Sequence, residues 1–125
     1  MTHFIDANII VKAFTENEDK EKCRISLSEK FITNSLCLVE AYHAISIIKN
    51  DKIYAANAIK SIFKGEGIII ELNKNLLFES FKRIGRYELN IFDLIHYVTA
   101  LIYNCHKFLS FDRHFDDLEI TRSEP

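Results

Sequence analysis

Short apolar runs alternate along this chain with longer segments whose apolar residues recur at helical spacing, the pattern of strands interleaved with helices. Residues 2–5 (Thr2-His3-Phe4-Ile5) predict a buried strand that ends at Asp6. A short helix is expected over 8–14. A charged, weakly amphipathic helix follows over 16–30, with Cys23, Ile25 and Leu27 as its apolar members. Phe31-Ile32 suggests a short strand, and Thr33-Asn34-Ser35 supplies N-cap candidates for a helix over 36–49. That helix places Leu36, Val39, His43 and Ile47 on one side. A polar turn at 49–52 leads into an Ala-rich helix over 54–64, which Gly65-Glu66-Gly67 stops.

The β-branched run Ile68-Ile69-Ile70 predicts a buried strand over 68–72. Helices are then expected over 73–87 and over 90–105, the second apolar on nearly every face and therefore buried. A strand over 107–111 and a short edge strand over 118–121 complete the pattern. Strands that alternate with helices form a parallel sheet with helices on both faces. Ligands of such sheets bind beyond the carboxyl ends of the strands.

Four acids stand at the edges of apolar segments: Asp6, Glu40, Asp93 and Asp112. A carboxylate beside buried structure is costly unless it is paired or holds a metal. Four of them suggest one convergent site for divalent cations. Each also has a local explanation. Asp6 can cap the helix that follows, with Asn8 sharing that role. Glu40 can be an ordinary exposed helix residue, although Leu36, Leu38, Val39 and Ala41 around it argue otherwise. Asn90 and Asp93 approximate a capping box, and an acid in the first turn suits the helix dipole. Asp112 can simply form a turn. Asp116 and Asp117 read as solvated.

The chain has 125 residues, 48% hydrophobic, with one Pro and three Gly. That fits a single domain over 1–125 with a substantial core and no flexible linker. The net charge is -2. If the four acids hold metal, 18 - 4 = 14 acids face 16 Lys and Arg, and the remaining shell is +2. Bulk charge therefore leaves a nucleic-acid substrate open. Cys23, Cys37 and Cys105 are odd in number and far apart, as expected of buried small hydrophobes in a reducing cytoplasm. No signal peptide and no membrane span is expected.

Competing chemistries find less support. Glu40-x-x-His43 and Asp93-x-x-His96 each match the acid–His pairs of di-iron bundles, but those need four long helices without strands. His43 and His96 are accordingly expected to be packing residues. No P-loop, G-x-G-x-x-G or G-x-S-x-G motif is present. The basic cluster Lys82, Arg83, Arg86 reads as a solvated face. Aspartyl-phosphate phosphotransfer domains also use strand-end Asp. Here Asn8 stands where the dehalogenase type has Asp, and Lys107 precedes its strand where the receiver type has a late strand-end Lys.

Four segments, in order, resemble the PIN domain, and within it the VapC-type toxins. They are Phe4-Ile5-Asp6-Ala7-Asn8, Ser35-Leu36-Cys37-Leu38-Val39-Glu40, Phe92-Asp93-Leu94-Ile95-His96-Tyr97-Val98-Thr99-Ala100, and Leu109-Ser110-Phe111-Asp112-Arg113-His114-Phe115. The resemblance implies a three-layer α/β/α fold with a central, mostly parallel sheet. It also implies cleavage of RNA dependent on Mg²⁺ or Mn²⁺, with one or two ions. Asp6, Glu40, Asp93 and Asp112 match the family's acids, Ser110 its hydroxyl residue, and Asp116 its weaker optional acid. The expected metal ligands are Asp6, Asp93 and Asp112. Glu40 would hold a second ion or orient the attacking water, and Asn8 and Ser110 would contact substrate. Phe111 departs from a position that is often polar. A homodimer and a small antitoxin are the partners implied, the alternative being a PIN-like module that binds RNA or protein without cutting.

Overall fold

In the computed structural model, which describes residues 2–125, five short strands form one parallel sheet in the order β3-β2-β1-β4-β5. The strands are β1 (His3–Ile5), β2 (Phe31–Asn34), β3 (Gly67–Ile70), β4 (Lys107–Leu109) and β5 (Thr121–Ser123). The helices are α1 (Ala7–Ala13), α2 (Lys20–Ser28), α3 (Ser35–Lys49), α4 (Lys52–Ile62), α5 (Lys74–Phe81) and α6 (Ile91–Ile102).

Alternation along the central strands sorts the core into two halves. Ile5, Phe31 and Leu109 pack with residues of α1–α4 on one face. Their neighbours Phe4, Ile32 and Phe108 pack on the other face with Tyr97 and Ala100 of α6. Leu76 of α5 extends that second layer against Leu94, Ile95 and Val98 of α6. The result is the expected three-layer α/β/α arrangement.

The chain visits the sheet outward in both directions from β1, through β2 to β3 on one side and through β4 to β5 on the other. A crevice therefore opens at the carboxyl ends of β1 and β4, where the winding reverses. Helices that connect parallel strands run back across the sheet, so the N-terminus of α6, the helix before β4, lies at that same edge.

Several boundaries differ from the sequence expectation. The helix expected over 73–87 stops at Phe81, and turns carry the chain through Gly85, whose φ of 89° suits glycine. The strand expected over 118–121 forms instead over Thr121–Ser123, and β4 ends two residues short of Phe111. The β3 strand is an edge strand, not a buried one, and Ile68 is 57% exposed. Its Gly67 lies opposite Phe31, where a Cβ would meet the ring at 2.3 Å. On α3 the buried face is Cys37, Leu38, Ala41 and Ile45, whereas Val39, His43 and Ile47 point to solvent. His43 is therefore not a packing residue. Ile25 of α2 is also exposed, leaving Cys23 as that helix's buried residue. Among the described residues no helix is long and apolar enough to cross a membrane.

Candidate active site

All four acids reach one cleft of about 590 Å³ at the carboxyl edge of the sheet, where Asp6, Glu40, Asp93 and Asp112 share the walls with Asn8, Lys12 and the apolar Val11, Ala44 and Ile48. Asp6 directly follows β1, and Asp112 lies three residues beyond β4. Glu40 sits in the second turn of α3, just after β2, and Asp93 in the first turn of α6.

The local explanations hold together with the convergence. Asp6 caps α1, accepting from the Ala7 N–H at 2.8 Å. Asn90 caps α6 through the Asp93 N–H, at 2.9 Å. Asp112 accepts the His114 N–H at 2.9 Å and caps a 3-10 turn over Arg113–Phe115.

Ser110 and Asn8 tie the two strand ends together. The Ser110 hydroxyl donates to Asp6 Oδ2 at 2.7 Å and accepts from Asn8 Nδ2 and from the Asp112 N–H, each at 3.0 Å. Asn8 Oδ1 accepts the Phe111 N–H. Ser110 is fully buried, and its hydroxyl is saturated by protein partners. Asn8 lines the cleft with its amide already engaged.

The carboxylates raise one another's proton affinity. Burial pushes the Asp6 pKa above its ordinary value, even though His96, the Ser110 hydroxyl and the Ala7 N–H pull it down. Asp93 is pushed up to about 6, first by burial and then by the charges of Asp6 and Asp112. An acid whose folded pKa is raised binds a proton in the folded state that the unfolded chain has already released. Stability then falls as pH rises between the two values. For Asp93 that window runs from 3.8 to about 6. The thermal midpoint of chelator-treated protein should therefore fall from pH 4 to pH 6.5 more steeply in the wild type than in Asp93→Asn. Parallel curves would contradict the mutual repulsion.

A second layer sits under Glu40. His96 is fully buried, and its Nε2 lies 2.5 Å from Glu40 Oε1. Holding a Glu side chain in one rotamer costs up to about 2 kcal/mol. A hydrogen bond to a charged group contributes roughly 1.5–3 kcal/mol, enough to keep the half-buried Glu40 in the cleft. His96 Nδ1 faces Asn34 Nδ2 at 3.1 Å and Cys37 Sγ at 3.3 Å. Burial disfavours charge on this ring, yet Cys37, Glu40 and Asp6 outweigh it and raise its pKa well above the ordinary value, the foremost raising influence being a Cys37 charge that burial of that thiol opposes. The Cys37 thiol is itself pushed up by burial.

Three of these residues, Asn34, Cys37 and His96, were not expected at the site. The sequence predicts a packing role for His96, although the Asp93-x-x-His96 spacing that carries it stands in the chain. Asp6, Cys37 and His96 offer ligand atoms within 4.8 Å of one another, as do Asp93, Asp112 and the exposed His114. Asp116 is committed elsewhere, paired with Arg122 Nε at 2.5 Å, and Asp117 occupies a left-handed turn position. Lys82 and Arg83 pair with Glu79.

The family and the fold have known relatives. A sequence profile of the PIN domain matches residues 3–120. A sequence comparison with curated proteins finds no match. Among solved structures, the fold is similar to that of Mycobacterium tuberculosis VapC20, described as a sarcin-ricin-loop-cleaving toxin. That match has a TM-score of 0.80 and 12% identity, covering 98% of this chain and 99% of that one. Rickettsia felis VapBC2, bound to a DNA fragment from its promoter, matches with a TM-score of 0.75 and 16% identity over 99% of this chain and 98% of that one. A toxin-antitoxin complex from Klebsiella pneumoniae matches with a TM-score of 0.75 and 13% identity, over 97% and 96%.

Proposed function

The chain belongs to the PIN domain family, and from that premise we propose that it is a metal-dependent endoribonuclease, the toxin of a type II toxin-antitoxin pair. The observation that carries this reading is the gathering of Asp6, Glu40, Asp93 and Asp112 in one cleft at the winding reversal of the sheet. The likeness to VapC20 and to two toxin-antitoxin proteins supports the toxin assignment.

The residues fit a hard divalent cation. Asp93 is pushed up to about 6 by burial and by neighbouring acids, so the site carries more negative charge than it can hold comfortably alone. The oxygen donors on Asp6, Asp93 and Asp112 favour Mg²⁺ or Mn²⁺ over softer metals. Bound there, such an ion would polarise the scissile phosphate and lower the pKa of water.

The chain's own residues then divide the work. Asp6 is held by the Ala7 N–H and the Ser110 hydroxyl, so its carboxylate is fixed before a cation arrives. Ser110 ties Asp6 to the Asp112 backbone and, being buried, acts on the ligands rather than on RNA. Asn8 has the same bracing role and also borders the path of the substrate. Glu40 accepts from His96 through Oε1, which leaves its second oxygen to hold a second ion or to orient the attacking water. Lys12, on the cleft wall, is paired with Asp19 at 3.0 Å and would meet an RNA phosphate only by exchanging that partner. A second copy of the chain and a small antitoxin are the protein partners of this reading. Exposed Ile47, Ile53 and Phe63 offer apolar area for them.

The test is RNA cleavage by purified protein with Mg²⁺, with Mn²⁺ and with a chelator, in the wild type and in Asp6→Asn. Cleavage is expected only with metal and only in the wild type. Equal cleavage by both proteins would sink the site assignment. RNA binding without cleavage in any condition would favour the non-cleaving module instead.

A further inference from the structure

We propose that His96, oriented by Asn34, is a positioning residue that pins Glu40 into the cleft. The inference rests on the nuclease reading for its catalytic consequence but on hydrogen-bond geometry for its substance.

The Asn34 amide can be assigned from its partners. Its Oδ1 accepts the Cys37 N–H at 2.8 Å, as the N-cap of α3. Its Nδ2 therefore faces Thr99 Oγ1 at 3.0 Å and His96 Nδ1 at 3.1 Å. The Thr99 hydroxyl proton is committed to the Ile95 carbonyl at 2.7 Å, so Oγ1 can only accept from Asn34. The amide's second hydrogen then points at His96 Nδ1 and makes that nitrogen an acceptor. The proton of the neutral imidazole must sit on Nε2, 2.5 Å from Glu40 Oε1. A chain of fixed donors thus runs from the end of β2 to one oxygen of Glu40.

Glu40 needs this support more than the other three acids. Asp6 and Asp112 are capping residues held by backbone N–H groups, and Asp93 has a short side chain in a capped first turn. Glu40 is longer, is 34% exposed, and sits among like charges that push it toward water. Among the described residues, His96 is the only hydrogen-bond partner of its carboxylate. Asn34, Cys37, His96 and Thr99 all lie buried beneath it, so the support is rigid.

The experiment compares wild type, His96→Leu and His96→Gln. Leu keeps the apolar volume without a donor, whereas the Gln amide can place an N–H near the position of Nε2. RNA cleavage in His96→Leu should drop by about 10–100-fold, and His96→Gln should recover most of it. Mn²⁺ affinity, read by electron paramagnetic resonance, should weaken in the Leu variant and recover in the Gln variant. Two-bond ¹H–¹⁵N correlation spectra of metal-free wild type, taken at a pH high enough to leave the ring neutral, should show a protonated Nε2 and a bare Nδ1. A proton on Nδ1 of the neutral ring overturns the proposal, even if neither variant folds. So do folded variants that both lose cleavage and Mn²⁺ affinity equally, or a Leu variant that matches wild type in both. Wild-type protein that fails to cut RNA would instead defeat the nuclease reading. The spectra and the Mn²⁺ affinities would then still decide the role of His96.

Discussion

Asp93→Asn is expected to remove RNA cleavage while leaving the metal-free protein at least as stable as wild type. The two effects have one cause. Burial, Asp6 and Asp112 push the Asp93 carboxyl up to about 6. In neutral, metal-free protein the charge is therefore held against its environment. Asn keeps the shape and removes that charge. A first-turn acid gains about 0.3–1 kcal/mol from the helix dipole, but the upward shift means that the opposing influences are larger. Catalysis runs the other way, because a ligand that balances a cation contributes several kcal/mol of transition-state stabilisation. Its loss should cost on the order of 10³-fold in rate. Cleavage rates with Mg²⁺ and thermal midpoints in chelator check both halves. A variant that still cuts RNA at near wild-type rate contradicts the ligand role. A midpoint several degrees lower would make Asp93 a structural cap instead.

The same carboxylates show why the site could be found in the sequence at all. Asp6 and Asp112 follow apolar strands, and in a parallel sheet that fixes which edge they occupy. Asp93 was legible through Asn90, whose capping marks a helix start. Glu40 was harder, since a mid-helix Glu is ordinary, and only its apolar neighbours set it apart. His96 was missed for a physical reason. Seven consecutive residues of α6, Leu94 through Ala100, are buried, and a polar side chain in such a run looks like one more packed residue. Its partner Asn34 was visible as a cap for α3, which it is, but its free amide gave no sign of a second task. Side-chain hydrogen bonds across more than fifty residues leave no periodic trace.

The fold was legible to the extent that it depends on alternation. The strand and helix order followed from the pattern of apolar runs. Which strand lies at an edge did not, because Ile68-Ile69-Ile70 reads alike in the middle of a sheet or at its margin. The α3 helix carries apolar residues on more than one side, so its buried face could not be chosen by spacing. Small residues decided it, since Cys37 and Ala41 allow close approach to the sheet whereas Val39 and Ile47 do not. Gly85 was the available sign that α5 ends early.

Phe108→Ala should have the complementary phenotype, a large loss of stability with the chemistry intact. Phe108 is completely buried at the middle of β4, beside β1. Its ring centroid lies 4.9 Å from that of Phe4 and 4.2 Å from that of Phe115, and Tyr97 completes the cluster at 5.9 Å. Truncation removes the apolar contact and leaves a cavity that three rigid rings cannot collapse into, a cost of about 3–5 kcal/mol. For a domain of this size the thermal midpoint should fall by roughly 10–20 °C. Asp6 and Asp112 lie beyond the strand ends, tied through Ser110 and Asn8 by hydrogen bonds that Phe108 does not make, and Glu40 and Asp93 stand on helices. Below its midpoint the variant should therefore retain most of its RNA cleavage, whereas Asp93→Asn retains its midpoint and loses cleavage. Thermal melts and cleavage assays on the two variants side by side separate the fold from the site. If Phe108→Ala were inactive while fully folded, the strand end would depend on the aromatic cluster for its shape, and the acids would not be held by their own hydrogen bonds.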